Sequence, residues 1–294
     1  MNFLIGLGLI VSTLSFDQPT HDIHRPRSEF WKPLGSFFLP GLGQWAEGQS
    51  AYAGVYTGVA VAGTSLVISG GHSNFEGFAD RSSEARRALI GQAFYSGAGG
   101  VSAYHDFRTA VTTHRSLGEY AFLPADKVET PGQLALAPFR MDYLLRWTTL
   151  LPLAILGAGV AVYGSKSSDG FKNIRMSDSP VIGSISYNAG VGEEAAFRGW
   201  LLPMFHQKMG QRFWASNLSQ AGVFAALHIQ KDNYIPWPQL LLGSYLGWLA
   251  QYRDWEISEG IFIHAWWDVL ALTALFAATG DIDEIRTPTL QIPF

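Results

Sequence analysis

A series of apolar runs divides this chain, and a helix needs about 17 to 25 such residues to cross a bilayer. They lie near Ala51 to Ser69, Leu89 to Tyr104, Tyr143 to Tyr163, Val181 to Phe205, Phe213 to Ile229, Trp237 to Tyr252 and Gly260 to Gly280. Charged residues are 15% of the 294, against about 25% in ordinary soluble domains. Together these features predict an all-α, polytopic membrane helix bundle with about seven to eight membrane segments. Mean hydropathy is only +0.10, so substantial loops must separate the spans. A net charge of −4 gives no reason to expect a nucleic-acid partner. The absence of cysteine excludes thiol catalysis, Cys-ligated metals and disulfides.

The first apolar run, Phe3 to Phe16, has the length of a signal-peptide core but lacks a basic start and a clear small-x-small cleavage site. A cleaved signal and a retained short helix both fit it. In "FFLPGLGQWAEGQ", residues 37 to 49, Pro40, Gly41 and Gly43 break an apolar segment, predicting a re-entrant or interfacial turn before the next span. Ser82 to Arg87 and His105 to Arg140 read as polar connections. Lys and Arg are spread over nearly every loop, so charge does not orient the chain. The organisation expected is an N-terminal membrane region over 1–142, a helix bundle over 143–280 and a tail over 281–294.

Ionisable groups interrupt the last four runs, and such groups inside a membrane are functional candidates by default. In "GVGEEAAFRGW", residues 190 to 200, Glu193, Glu194 and Arg198 lie between apolar stretches. On an α-helix, residues four apart differ by about 40° around the axis and adjacent ones by about 100°. Glu194 and Arg198 therefore share a face and can pair, whereas Glu193 points along a stripe with Phe197 and Trp200. A carboxylate without a built-in counter-charge suits a general base or a group awaiting a metal or substrate. "FAALH" then sets His228 one turn after Phe224, and "HAWWD" sets His264 one turn before Asp268. Bringing Glu193, His228, His264 and Asp268 together would make a polar pocket able to activate a water, bind a divalent metal, or both. The bland alternatives are a hydrogen-bonded packing histidine at 228 and an interhelical clamp at His264 and Asp268. The remaining histidines (21, 24, 72, 105, 114 and 206) fall in expected loops or span ends.

Glu-Glu-x-x-x-Arg, then Phe-x-x-x-His, then His-x-x-x-Asn or Asp, in this order on successive membrane helices, resembles the CPBP superfamily. That superfamily includes the CAAX prenyl endopeptidases and bacterial proteins linked to bacteriocin processing and self-immunity. The resemblance spans roughly Tyr143 to Gly280, and the N-terminal half has no part in it. It implies an intramembrane endopeptidase on a helical bundle in a bacterial inner (plasma) membrane, with a membrane-associated protein or peptide as substrate. Carried over residue by residue, Glu193 and His228 activate a water, His264 and Asp268 face the developing oxyanion, and Glu194, Arg198 and Phe224 support the site.

Position 268 departs from the CAAX-endopeptidase pattern, which has Asn there. An ionised Asp accepts hydrogen bonds and repels an oxyanion. It can instead be protonated, orient His264 and hold it as an imidazolium, or, with Glu193, His228 and His264, ligate a divalent metal such as zinc. Two rival functions use the same residues: a catalytically idle membrane adaptor or immunity protein, and an ion-coupled transporter. The transporter reading lacks the inverted repeats that carriers commonly show.

Overall fold

In a computed structural model of the chain, residues 28–70, 82–166, 174–229 and 236–278 are described. The expectations for Phe3 to Phe16, for His21, His24 and His72, and for the 281–294 tail lie outside them. Among the described residues every regular element is helical and no strand occurs. The main helices are α1 (Ser28–Phe38), α2 (Leu42–Ala46), α3 (Ser50–Ser69), α4 (Ser83–His114), α5 (Pro131–Leu136) and α6 (Trp147–Lys166). They are followed by α7 (Ser179–Asn188), α8 (Leu202–Lys208), α9 (Phe213–Ala226), α10 (Trp237–Tyr252) and α11 (Ser258–Ala278). Between α7 and α8 the chain stays helical but widens into two π-helical stretches, Ala189–Glu193 and Ala195–Leu201. The apolar runs thus became helices close to where they were read.

Two helices, Ser50–Ser69 and Ser258–Ala277, are long and apolar enough to cross a membrane, and Trp147–Ala161 is a shorter apolar helix. Much of the apolar side-chain surface faces outward, including Val55, Val61, Ile68, Leu151, Ile155, Leu218 and Leu241.

The segment from His105, expected as a polar connection, instead begins as the last turns of α4. Its polar groups have partners on neighbouring elements, so they do not stop the helix. Gln44 Nε2 donates to Asp106 Oδ1 at 2.6 Å, and His105 Nδ1 meets the Tyr56 hydroxyl at 3.1 Å. The reversal comes only at Gly118, whose φ of 80° favours glycine. Beyond it, Tyr120 and Leu123 return to pack with Phe107, Val111 and Trp200. His105 and His114 are therefore helical residues rather than loop residues.

The turn expected at Pro40–Gly43 is present. Gly41 has φ 97°, and a Cβ there would lie 2.5 Å from Thr57 Oγ1 and 2.8 Å from the Ala53 carbonyl oxygen. Ser102 Oγ accepts from Gly41 N at 2.9 Å and donates to Gln44 Oε1 at 2.7 Å, tying the turn to α4.

Glycine seams let the helices touch backbone to backbone, as small residues do in membrane bundles. Gly63 of α3 meets Gly91 of α4, where an added Cβ on either would lie within 2.6 Å of the other's carbonyl oxygen. Further along α4, Gly97 and Gly100 meet the π-helical stretch at Gly192; a Cβ on Gly100 would lie 2.0 Å from the Gly192 carbonyl oxygen. On another face of that stretch, Gly190 packs against Ala265 of α11. The segment carrying both glutamates is thus pressed between α4 and α11.

This packing predicts that Gly100→Ala destabilises the protein by about 1–3 kcal/mol or more, since the backbone must separate. Gly58→Ala, at a position in α3 where an added Cβ meets nothing within 4 Å, should leave the melting temperature in detergent unchanged. A Gly100→Ala protein as stable as wild type would contradict the seam.

Candidate functional site

Glu193 closes the first π-helical stretch, Glu194 follows it, and Arg198 lies in the second. Single π turns arise where a helix takes in an extra residue, and they recur at functional sites. All three side chains are buried, Glu194 and Arg198 almost completely. Arg198 Nη1 donates to Glu194 Oε1 at 2.8 Å, so the pairing expected from the spacing is made despite the widened helix.

The guanidinium also rests over the Phe224 ring, with its carbon 4.6 Å from the ring centroid. A cation on an aromatic face in a desolvated setting contributes on the order of 2 kcal/mol. Room for the guanidinium comes from Gly243 of α10, where an added Cβ would lie 3.2 Å from Arg198 Nη2 and from the Phe224 ring.

Phe224 supports His228 as well. The rings lie 4.6 Å apart, and the Phe224 carbonyl oxygen accepts a hydrogen bond from His228 Nδ1 at 2.7 Å. That bond requires the proton on Nδ1 and leaves Nε2 with a lone pair in the neutral ring. His228 itself sits just past the end of α9, in the turn that closes it, rather than on the helix as expected. The Phe-x-x-x-His spacing therefore joins one ring that carries the arginine to one carbonyl that orients the histidine.

His264, buried on α11, connects the two glutamates. Its Nδ1 is 2.7 Å from Glu194 Oε1, the oxygen that also accepts from Arg198. Its Nε2 is 3.8 Å from Glu193 Oε2 and 3.8 Å from Asp268 Oδ2. The sequence reading gave Glu194 one partner and set Glu193 on a separate stripe. The His264 ring adds a second partner to Glu194 and faces Glu193 with its other nitrogen, while Glu193 shares its cavity with Phe197, the stripe neighbour expected for it. Glu193 Oε2 accepts no hydrogen bond from any described residue.

Glu193 and His228 line one cavity with Phe37, Ser96, Gly192, Phe197 and Leu227. It leaves about 20 Å³ for the centre of a water molecule, enough for about one water. Phe37 and Ser96 come from α1 and α4, which the motifs do not include.

Of the four residues expected to form one pocket, Glu193 and His228 line the cavity, whereas His264 and Asp268 do not and are joined to it through the 3.8 Å approach of His264 to Glu193. Glu193 links the pair at the cavity to His264 and Asp268. Among the described residues, no group of three or more His, Asp or Glu side chains is arranged so that it could hold a metal ion. The other described histidines have different surroundings. His114 meets Glu29 and Glu119, at 3.3 and 2.7 Å, and His206 packs against Phe122 and Trp255.

Residues 178–270 match the Rce1-like family, described as type II CAAX prenyl endopeptidase. The match contains all three motifs and bears out the resemblance to the CPBP superfamily. No curated protein and no solved structure matches the chain.

The shared contact at Glu194 Oε1 predicts a stability hierarchy. Glu194→Gln leaves a buried guanidinium without its counter-charge and should cost about 3–5 kcal/mol, read as loss of folded yield and melting temperature. Combining it with Arg198→Met should recover most of that loss. A double variant less stable than Glu194→Gln alone would show that Arg198 is held by something other than Glu194.

Proposed function

We propose that this chain, similar over residues 178–270 to type II CAAX prenyl endopeptidases, is an intramembrane endopeptidase that hydrolyses a peptide bond with a water activated by Glu193 and His228. The observation that carries this reading is the water-sized cavity shared by those two residues, one from the π-helical stretch and the other from the turn that closes α9. A base and a hydrogen-bond acceptor converging on one water is the geometry general-base hydrolysis requires.

In the reaction, the water gives one proton to the Glu193 carboxylate while its oxygen bonds to the substrate carbonyl carbon. His228 Nε2 accepts a hydrogen bond from the second water hydrogen and fixes the direction of attack. The carbonyl π pair moves onto oxygen, making an oxyanion. Collapse of this intermediate returns the pair, breaks the C–N bond, and passes the proton held by Glu193 to the departing amine nitrogen. His264 donates from Nδ1 to Glu194 and turns Nε2 toward Glu193 and Asp268. All of these neighbours are acceptors, so a doubly protonated ring fits them and places a positive charge beside Glu193. Asp268 orients His264 in this scheme, the role open to an aspartate where the family pattern has asparagine. No step runs through a metal ion.

The substrate is a membrane-associated protein or peptide, because the cavity lies inside a bundle with extensive outward apolar surface. The shorter apolar helices join the two long ones as membrane segments, seven to eight in all. A bacterial inner membrane is the location this reading favours.

Comparing membrane proteomes of wild-type and Glu193→Ala cells should reveal precursors that accumulate only in the variant. Identical proteomes would sink the protease reading. A second test addresses the metal. Asp268→Asn should keep cleavage of such a precursor within about tenfold, because an amide oxygen can still accept from His264. Elemental analysis of the same preparation should show unchanged zinc content. Joint loss of zinc and cleavage would identify Asp268 as a ligand.

A further inference from the structure

Hydrolysis through an oxyanion needs a hydrogen-bond donor where the charge develops, and the groups described so far do not place one on the cavity wall. Glu193 takes the proton. His228 uses its Nδ1 proton on the Phe224 carbonyl, which leaves Nε2 of the neutral ring an acceptor. His264 and Asp268 are not among the residues that line the cavity, and Phe37, Phe197 and Leu227 are apolar. The remaining lining side chain is Ser96 of α4, which carries a hydroxyl.

From this juxtaposition we infer that Ser96 is a further catalytic residue, whose hydroxyl donates to the carbonyl oxygen of the scissile bond as it becomes an oxyanion. The inference rests on the endopeptidase reading. Its residue lies outside the 178–270 match, on a helix from the N-terminal half.

The local structure leaves the hydroxyl available. Ser96 Oγ donates to the Ala93 carbonyl oxygen at 3.2 Å, well beyond the 2.7–2.8 Å usual for a hydroxyl donor. Rotation about the Cβ–Oγ axis exchanges that weak bond for a charge-assisted one to the oxyanion, which is about twice as strong. The backbone holds Ser96 near the glutamates because the next residue is glycine. A Cβ on Gly97 would lie 2.2 Å from Asn188 Oδ1, and one on Gly192 would lie 2.6 Å from the Gly97 α-carbon. The same seam that presses α4 onto the π-helical stretch therefore brings Ser96 and Glu193 to the wall of one cavity. In the balanced step, Ser96 keeps its proton: it donates a hydrogen bond while the carbonyl π pair sits on oxygen, and it releases that bond when the C–N bond breaks.

The test compares Ser96→Thr, Ser96→Val and Ser96→Ala with wild type. Each protein is reconstituted in phosphatidylethanolamine–phosphatidylglycerol vesicles and assayed on a library of quenched-fluorescence single-span peptides. Thr and Val have nearly the same shape and differ in the hydroxyl, so their difference reads the donor alone. The expected result is that Thr stays within about tenfold of wild-type kcat, while Val and Ala lose about 10²–10³-fold in kcat with KM little changed. Ala removes bulk rather than adding it, so it reports even where the branched side chains are not accommodated. Equal kcat for Val and Thr, or wild-type kcat in Ala, would overturn the role of Ser96 and leave the endopeptidase reading standing. Absence of cleavage by wild type across the library would overturn that reading and this inference with it.

Discussion

One carboxylate oxygen, Glu194 Oε1, holds the site together. It accepts from Arg198 Nη1 at 2.8 Å and faces His264 Nδ1 at 2.7 Å. A buried ion pair of this kind is weak as a source of net stability, because desolvation offsets most of the attraction. Its effect here is positional. Arg198 is pinned above Phe224, Phe224 in turn holds His228, and His264 is turned so that its other nitrogen faces Glu193. A single side chain therefore sets the relative placement of groups from three separate helices.

The second constraint is close approach of backbones. Where water is excluded, helices gain little from apolar burial against one another, and small residues at the contact allow van der Waals packing instead. Gly97, Gly100, Gly190 and Gly192 let α4 and α11 close on the π-helical stretch. That closeness confines the cavity between Glu193 and His228 to roughly the size of one water. It also puts Ser96 and Phe37, from the N-terminal half, on the wall of a site whose motifs all lie in the C-terminal half.

Much of this was legible in the sequence, and the limits have physical causes. Apolar runs located the main helices because run length and helix length are coupled. The i,i+4 spacing of Glu194 and Arg198 carried the ion pair, since that contact survives a change from α to π geometry. The widening itself was not legible, because nothing in "GVGEEAAFRGW" distinguishes a π turn from an α turn, and His264 as a neighbour of both glutamates depends on how α11 packs against this stretch. The end of α4 was misplaced because His105 and Asp106 read as solvent-exposed until their partners, Tyr56 and Gln44, are known. Short motifs reported the site's C-terminal half, whereas the contributions of Phe37 and Ser96 depend on long-range packing that no local pattern encodes.

The central claim is that Glu193 is kept in an apolar interior for a chemical rather than a structural reason. Its Oε2 accepts no hydrogen bond from the described residues and lies 3.8 Å from His264 Nε2, so replacing it with glutamine removes a base and loosens only that longer contact of this oxygen. The direct measurement is the thermal melting and the precursor-cleavage rate of purified Glu193→Gln protein, read side by side with wild type in the same vesicles. The account predicts a melting temperature equal to or above that of wild type, as expected when an active-site charge is relieved, together with complete loss of cleavage. Retained cleavage in a folded Glu193→Gln protein would contradict it.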